Sequence, residues 1–198
     1  MIKKLTIPVD HGNRNMKTTH FLFTTGLSST DRKPAGREDF LQTDGKYYVL
    51  SGKRIPYQRD KTQDERFSIL TRFAIAKELE RTGQVSEEDV VQVSLPIGVP
   101  PKHYAELAER YREYFLGDGK VQELVYNGRT YHTCIQDVAV YPQAYAAMMT
   151  EGEKIRQIPK AVGIDIGGFT SDFLLMRSGS PCLDYCDSME KGVITMYN

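Results

Sequence analysis

Two stretches of the chain place apolar residues at helical spacing. Between Asp64 and Thr82, Phe67, Leu70, Phe73, Ala74, Lys77 and Leu79 fall near one face, and Gly83 is a stop signal. This reads as an amphipathic helix. Tyr104, Leu107, Ala108, Tyr111, Tyr114 and Phe115 make a second helical stripe, and aromatic residues so spaced are expected to pack inward. Other stretches read as strands. Residues 1 to 9 and 16 to 25 suggest a first hairpin, and KYYVLSGKR has the aromatic and β-branched content of a strand ending in a Ser-Gly turn. VVQVSLPIGVPP reads as a buried strand closed by Pro96, Gly98, Pro100 and Pro101. Around Asn127-Gly128, VQELVYNGRTYHTCIQDVAVY has a strong hairpin-turn signal. The polar stretch from Leu27 to Glu38 and the charged run EGEKIRQIPK read as loop and connector. Alternating strands and helices place the chain in the α/β class, with a mixed central sheet flanked by helices.

Two glycine-bearing segments interrupt this pattern, and each opens with an aspartate after apolar residues. The first is IPVDHGNRNMK, with Asp10, Gly12, Asn13, Arg14, Asn15 and Lys17. The second is AVGIDIGGFTSDFLLM, with Asp165, Gly167, Gly168, Phe169, Thr170 and Asp172, after which Phe173 to Met176 resume the apolar run. Each reads as strand, tight turn and return strand. Glycines leave no Cβ in the way, so backbone N–H groups can approach phosphate oxygens. Lys17 and the Thr170 hydroxyl add a charge and a donor, while the hard oxygens of Asp10 and Asp165 suit a hydrated Mg²⁺. Together they suggest a site for the phosphates of a nucleotide.

The order and wide spacing of D-x-G-x-x-x-x-K and D-x-G-G-x-T-x-D resemble the two phosphate loops of the actin, sugar-kinase and heat-shock-chaperone ATPase superfamily. Within it, the chain is similar to bacterial actin-like ATPases of the ParM plasmid-segregation type. That resemblance implies an actin-like, ribonuclease H-like fold. It implies a first domain over residues 1–160, with a small β-rich subdomain over about 27–64, and the beginning of a second like domain over 161–198. SMEKGVITMYN resembles the start of that second domain's first long helix. Members of the superfamily place a water-polarising residue at a helix start between the two loops. In DVAVYPQAYAAMM, Pro142 stands near the expected first helical position and Gln143 follows it, an amide able to orient a water. By this resemblance Gln143 and Asp165 are the catalytic candidates. Asp10, Gly12, Asn13, Arg14, Asn15, Lys17, Gly167, Gly168, Phe169 and Thr170 are the nucleotide-binding candidates. Asp10 and Asp165 would meet Mg²⁺ through water.

Composition narrows the setting. The chain has 198 residues with 26 basic and 26 acidic side chains, so it lacks the basic excess of a direct nucleic-acid binder. No apolar run reaches membrane-spanning length, and a cytoplasmic protein is the expectation. Three cysteines do not close a disulfide framework, and Cys182 and Cys186 have no second ligand pair to make a zinc site. His11, inside the first loop, reads as an exposed turn residue.

The resemblance implies a filament protein whose ATP (or GTP) binding and hydrolysis, with Mg²⁺, drive polymer dynamics in plasmid or mobile-element DNA segregation, with self-association and a DNA-bound adaptor as partners. The alternatives are a non-enzymatic interaction module of the same fold and a small-molecule kinase of the superfamily. The family fold continues well past the length seen here, so hydrolysis is expected of the longer parent and little of these residues alone.

Overall fold

The computed structural model describes residues 1–36 and 39–196. Arg37 and Glu38, at the end of the expected loop, and Tyr197 and Asn198, at the end of the expected last helix, lie outside the described residues.

After β1 (Ile2–Thr6), three short strands, β2 (Asp10–His11), β3 (Asn15–Lys17) and β4 (Leu22–Thr24), form a small antiparallel sheet of their own. The expected single hairpin is therefore split, because β1 pairs elsewhere. Next come β5 (Leu27–Thr30), β6 (Phe40–Thr43) and β7 (Lys46–Leu50), then α1 (Arg66–Thr82), β8 (Val90–Val99), α2 (Tyr104–Leu116), β9 (Gln122–Tyr126) and β10 (Arg129–Pro142). Seven of these strands make one mixed sheet in the order β1-β8-β10-β9-β6-β7-β5.

Three sequence expectations change here. Leu27–Thr30 is an edge strand and not loop, paired through Ser28↔Val49 and Ser29↔Tyr48. The strands of 27–50 extend the main sheet, since β6 pairs with β9 through Leu41↔Tyr126 and Gln42↔Val125. β8 runs on through Pro96 and Gly98 to Val99, alternating buried and part-buried residues. Its register with β1, Thr6↔Ser94, continues to Val9↔Ile97, so Pro8 and Pro96 fall opposite each other. Pro96 has no N–H to give the Ile7 carbonyl, while the Ile7 and Val9 N–H groups still donate to the carbonyls of Ser94 and Pro96 at 3.0 Å each.

Helix α1 forms as its apolar stripe requires. Phe67, Leu70 and Phe73 are fully buried, each stabilising the fold by about 1.5–3 kcal/mol. Asp64 Oδ1 accepts the Arg66 N–H at 2.9 Å and the Tyr114 hydroxyl accepts the Ser68 N–H at 2.9 Å, satisfying donors of the first turn. Gly83 ends the helix in a left-handed conformation, φ 60°. In α2 the stripe faces inward as expected, with Leu107, Tyr111 and Phe115 buried. Asn127 and Gly128, φ 51° and 88°, make the tight turn between β9 and β10.

The remaining elements are α3 (Tyr145–Met149), α4 (Gly152–Gln157), β11 (Lys160–Ile166), β12 (Ser171–Arg177), β13 (Ser180–Pro181), β14 (Asp187–Met189) and α5 (Val193–Met196). The run expected as a charged connector thus contains a helix. Its Ile155 packs with Leu174 and Met176 of β12, which Ala144, Met148 and Ala161 also cover. The opposite face of β11 exposes Val162, Ile164 and Ile166, at 59%, 59% and 56%. By internal contacts the chain divides into two compact units, Met1–Ile97 with Arg112–Ala139, and Gly98–Tyr111 with Val140–Asn198. This division differs from a cut at residue 160, because α3 and α4 pack on β12. Among the described residues no helix is long and apolar enough to cross a membrane.

Candidate functional site

The first glycine-bearing turn lies in the first unit. Register sets Asp10 opposite Lys17 and His11 opposite Met16, and Asp10 Oδ2 is 2.8 Å from Lys17 Nζ. Between them Gly12, Asn13, Arg14 and Asn15 turn so tightly that a Cβ on Gly12 would lie 2.5 Å from the Asn15 carbonyl oxygen. Only glycine fits. The turn is braced from outside: the Thr25 hydroxyl donates to the Gly12 carbonyl at 2.5 Å and the Thr25 N–H to the Arg14 carbonyl at 3.1 Å. Asn13 Oδ1 accepts the Gln58 N–H at 3.0 Å, so its side-chain oxygen serves the turn itself.

His11 departs from its expected exposure. It is 1% exposed, its ring 4.4 Å from that of Phe115, with Nε2 2.7 Å from Thr71 Oγ1. Burial, reinforced by the charge of Lys61, lowers its pKa to about 3, so the imidazole is neutral. Its role is to lock the back of the turn to α1.

The second turn lies in the second unit. β11 and β12 pair with Asp165 opposite Asp172 and Ile166 opposite Ser171, leaving Gly167, Gly168, Phe169 and Thr170 as the turn. The Gly167 N–H donates to the Thr170 carbonyl at 2.8 Å, and the Thr170 hydroxyl lies 3.3 Å from Asp172 Oδ2. The start of α5 supports the turn: N–H groups of Val193 and Ile194 donate to the carbonyls of Gly167 and Gly168, each at 3.0 Å. In a trans peptide N–H and C=O point oppositely. The N–H groups of Gly168 and Phe169 therefore point away from α5. Gly192 makes this approach achievable, since a Cβ there would lie 2.5 Å from Gly168 C and Phe169 N.

Asp165 is exposed and Asp172 is buried, yet the two carboxylates stand directly opposite in register. Like charges so placed are destabilising without a cation. The exposed Asp165 carboxylate is a hard oxygen donor of the kind Mg²⁺ accepts, directly or through water. Among the described residues no three His, Cys, Asp or Glu gather to hold a metal unaided.

Gln143 is not in the first turn of a helix, as expected, and Pro142 is not at a helical position. Pro142 ends β10, Gln143 follows in a turn with its N–H donating to the Val99 carbonyl at 2.8 Å, and Ala144 is left-handed, φ 67°, before α3 begins.

The binding candidates thus gather in two groups: Asp10 to Lys17 in the first unit, and Asp165 to Thr170 in the second together with Gln143. Thr25, Gln58, Gly98 and Gly192 were not foreseen. Gly98, a glycine within a strand pattern, and Gly192, just before the apolar run VITM, each carry a sequence signal.

A family profile described as the N-terminal domain of actin-like proteins matches residues 8–145, more than half the chain. The chain belongs to the actin-like proteins. Solved structures agree on the fold. The crystal structure of apo pSK41 ParM superimposes with a TM-score of 0.76 at 15% identity, over 98% of this chain and 68% of that one. The AlfA filament bound to AMPPNP gives 0.71 at 15% identity, over 96% and 71%. The archaeal actin homologue Ta0583 in complex with ADP gives 0.73 at 20% identity, over 96% and 61%. The actin-like chain described here therefore spans roughly two thirds of the length of these structures. No curated protein sequence matches it.

Proposed function

We propose that this actin-like protein binds a purine nucleoside triphosphate with Mg²⁺, hydrolyses it, and uses the cycle to control head-to-tail filament assembly. The observation that carries this reading is the pair of braced D-x-G turns. In each, backbone carbonyls are held from behind by other residues, Thr25 in the first and α5 in the second. Rigid turns of this kind suit a phosphate chain, because their donors are oriented before the ligand arrives.

In this reading the N–H groups of Gly168 and Phe169, the Thr170 hydroxyl and the Lys17 ammonium bind phosphate oxygens. Asp10 and Asp165 hold the waters of the metal ion. Mg²⁺ supplies charge neutralisation on the phosphate oxygens. Gln143 orients the attacking water and contributes by position, since an amide is no base. Gly12, with Arg14 and Asn15, keeps the first turn open to the phosphates.

The structural relatives include the AlfA and Alp12 filaments and Ta0583 with ADP, which supports assembly and nucleotide binding for this chain too. Contacts that repeat head to tail without closing give filaments. We place the protein in the cytoplasm, moving plasmid or mobile-element DNA through a DNA-bound adaptor.

Calorimetric titration of ATP and GTP, with and without Mg²⁺, tests the site. Asp10→Ala and Asp165→Ala should each abolish the Mg²⁺-dependent part of the affinity, and wild-type binding by both would reject the assignment. Nucleotide-dependent light scattering tests assembly.

A further inference from the structure

Gly98 is a glycine where the backbone asks for none. It lies near the end of β8 and its φ is not in the left-handed region, so an L-residue could take its place without backbone strain. A glycine within a strand weakens it, and one retained there marks a close approach. The approach is specific. A Cβ on Gly98 would lie 3.2 Å from Cγ of Gln143, and its only other neighbour within 4 Å, the Tyr141 carbonyl oxygen, would be at 4.0 Å. The next residue, Val99, accepts the Gln143 N–H at 2.8 Å, which fixes the backbone of Gln143 beside the same stretch of β8. On the far side, Ala144 leaves the line of β10 at φ 67°. The Gln143 backbone is thus held at both ends, and its side chain leaves across the hydrogen face of Gly98.

We propose that Gly98 is a positioning residue for Gln143: the missing Cβ sets the path of the Gln143 side chain, and with it the place where the amide holds a water. This rests on the reading of Gln143 as the water-orienting group. An added methyl at 3.2 Å displaces a flexible side chain by a few tenths of an ångström and leaves the backbone in place. Displacements below about 1 Å already cost rate when a reacting group must be aligned, whereas binding of the phosphates depends on other residues.

The test uses Gly98→Ala and Gly98→Val, each alone and combined with Gln143→Ala. Two quantities are read: phosphate release at saturating ATP and Mg²⁺ beside nucleotide affinity, and the side-chain amide resonance of Gln143 in the nucleotide-free protein. Gly98→Ala should slow release by about three- to ten-fold and Gly98→Val by more, with affinity within about twofold of wild type. In the Gln143→Ala background both should change release by less than about twofold, because the group they displace is gone. The Gln143 amide resonance should shift in both variants, further for valine. An unmoved resonance in both overturns the proposal, as does an equal loss of rate with and without Gln143. Where release by the chain is too slow to follow, the resonance decides. Wild-type release by Gln143→Ala, with the resonance still shifted by Gly98→Ala, would reject the water-orienting role and keep the positioning contact. Should Gly98→Val fail to fold, the alanine variant still decides the question.

Discussion

His11 and Thr71, sixty residues apart in sequence, share a hydrogen bond of 2.7 Å in the interior of the first unit. Thr71 Oγ1 also lies 2.7 Å from the Phe67 carbonyl oxygen, so one hydroxyl joins the imidazole to the backbone of α1. The first glycine-bearing turn is thus tied at its back to the middle of α1.

Stability should therefore fall as the solution is acidified from neutrality. His11 has a pKa of about 3 in the fold against 6.5 unfolded, so above pH 6.5 both states are neutral and the group is silent. Below 6.5 the unfolded chain takes up a proton that the folded chain refuses, costing about 1.4 kcal/mol per pH unit. Melting temperatures measured between pH 7.5 and 5 should decline, and His11→Asn should flatten that decline. Thr71→Val leaves Nε2 of His11 without its buried partner and should cost about 1–3 kcal/mol at pH 7.5.

Glu78 gives the same sign in a lower pH range. Burial raises its pKa, but the Thr18 hydroxyl at 2.5 Å, His20 Nδ1 at 2.7 Å and the His20 N–H at 3.0 Å outweigh burial and hold it below the usual carboxylate value. Its contribution is present above pH 4.5 and lost as pH falls below it. Glu78→Gln should destabilise by about 1–3 kcal/mol at pH 7, and chemical denaturation should show the gap to wild type closing below pH 4.5.

Gly192→Ala should injure the second turn from a distance in sequence. Its Cβ would meet backbone atoms of Gly167, Gly168 and Phe169 at 2.5–2.6 Å, none of which can swing aside as a side chain does. We expect a loss of about 1–3 kcal/mol in thermal unfolding. Calorimetry should show nucleotide affinity weakened by about tenfold or more, because the N–H groups of the turn are re-aimed.

Lys17→Ala should weaken ATP more than ADP if its ammonium, 2.8 Å from Asp10, reaches the outer phosphates. Competition titrations with the two nucleotides measure the ratio. Equal losses would confine Lys17 to holding Asp10.

Much of this architecture was legible because it is local. The stripe from Phe67 to Leu79 has one helical solution, and Asn127-Gly128 has one turn. β5 escaped notice because LSST is polar, and an edge strand of this length is held by the backbone of β7 and not by buried side chains. The helix within EGEKIRQIPK is only six residues long, too short to stand alone, and depends on Ile155 reaching β12. The two tight turns were legible from Gly12, Gly167 and Gly168, but their support was not. Thr25, Gln58, Thr71 and Phe115 brace the first turn from 13 to 104 positions away. Pairings of that kind leave no periodicity. Neither does an alanine in left-handed conformation, which is why the helix was expected to begin at Pro142 when it begins three residues later.

The exposed row of Val162, Ile164 and Ile166 on β11 has a practical consequence. β11 is an edge of its sheet, and between Ala161 and Ile164 it carries no charge, proline or bulge to discourage another strand from joining it. In a concentrated solution of the 198-residue chain we expect clumping to start here, and its onset would masquerade as polymerisation in any turbidity record taken without a nucleotide-free control. A lysine at position 164 would quiet that background while leaving the Asp165–Asp172 turn to report on the ligand alone.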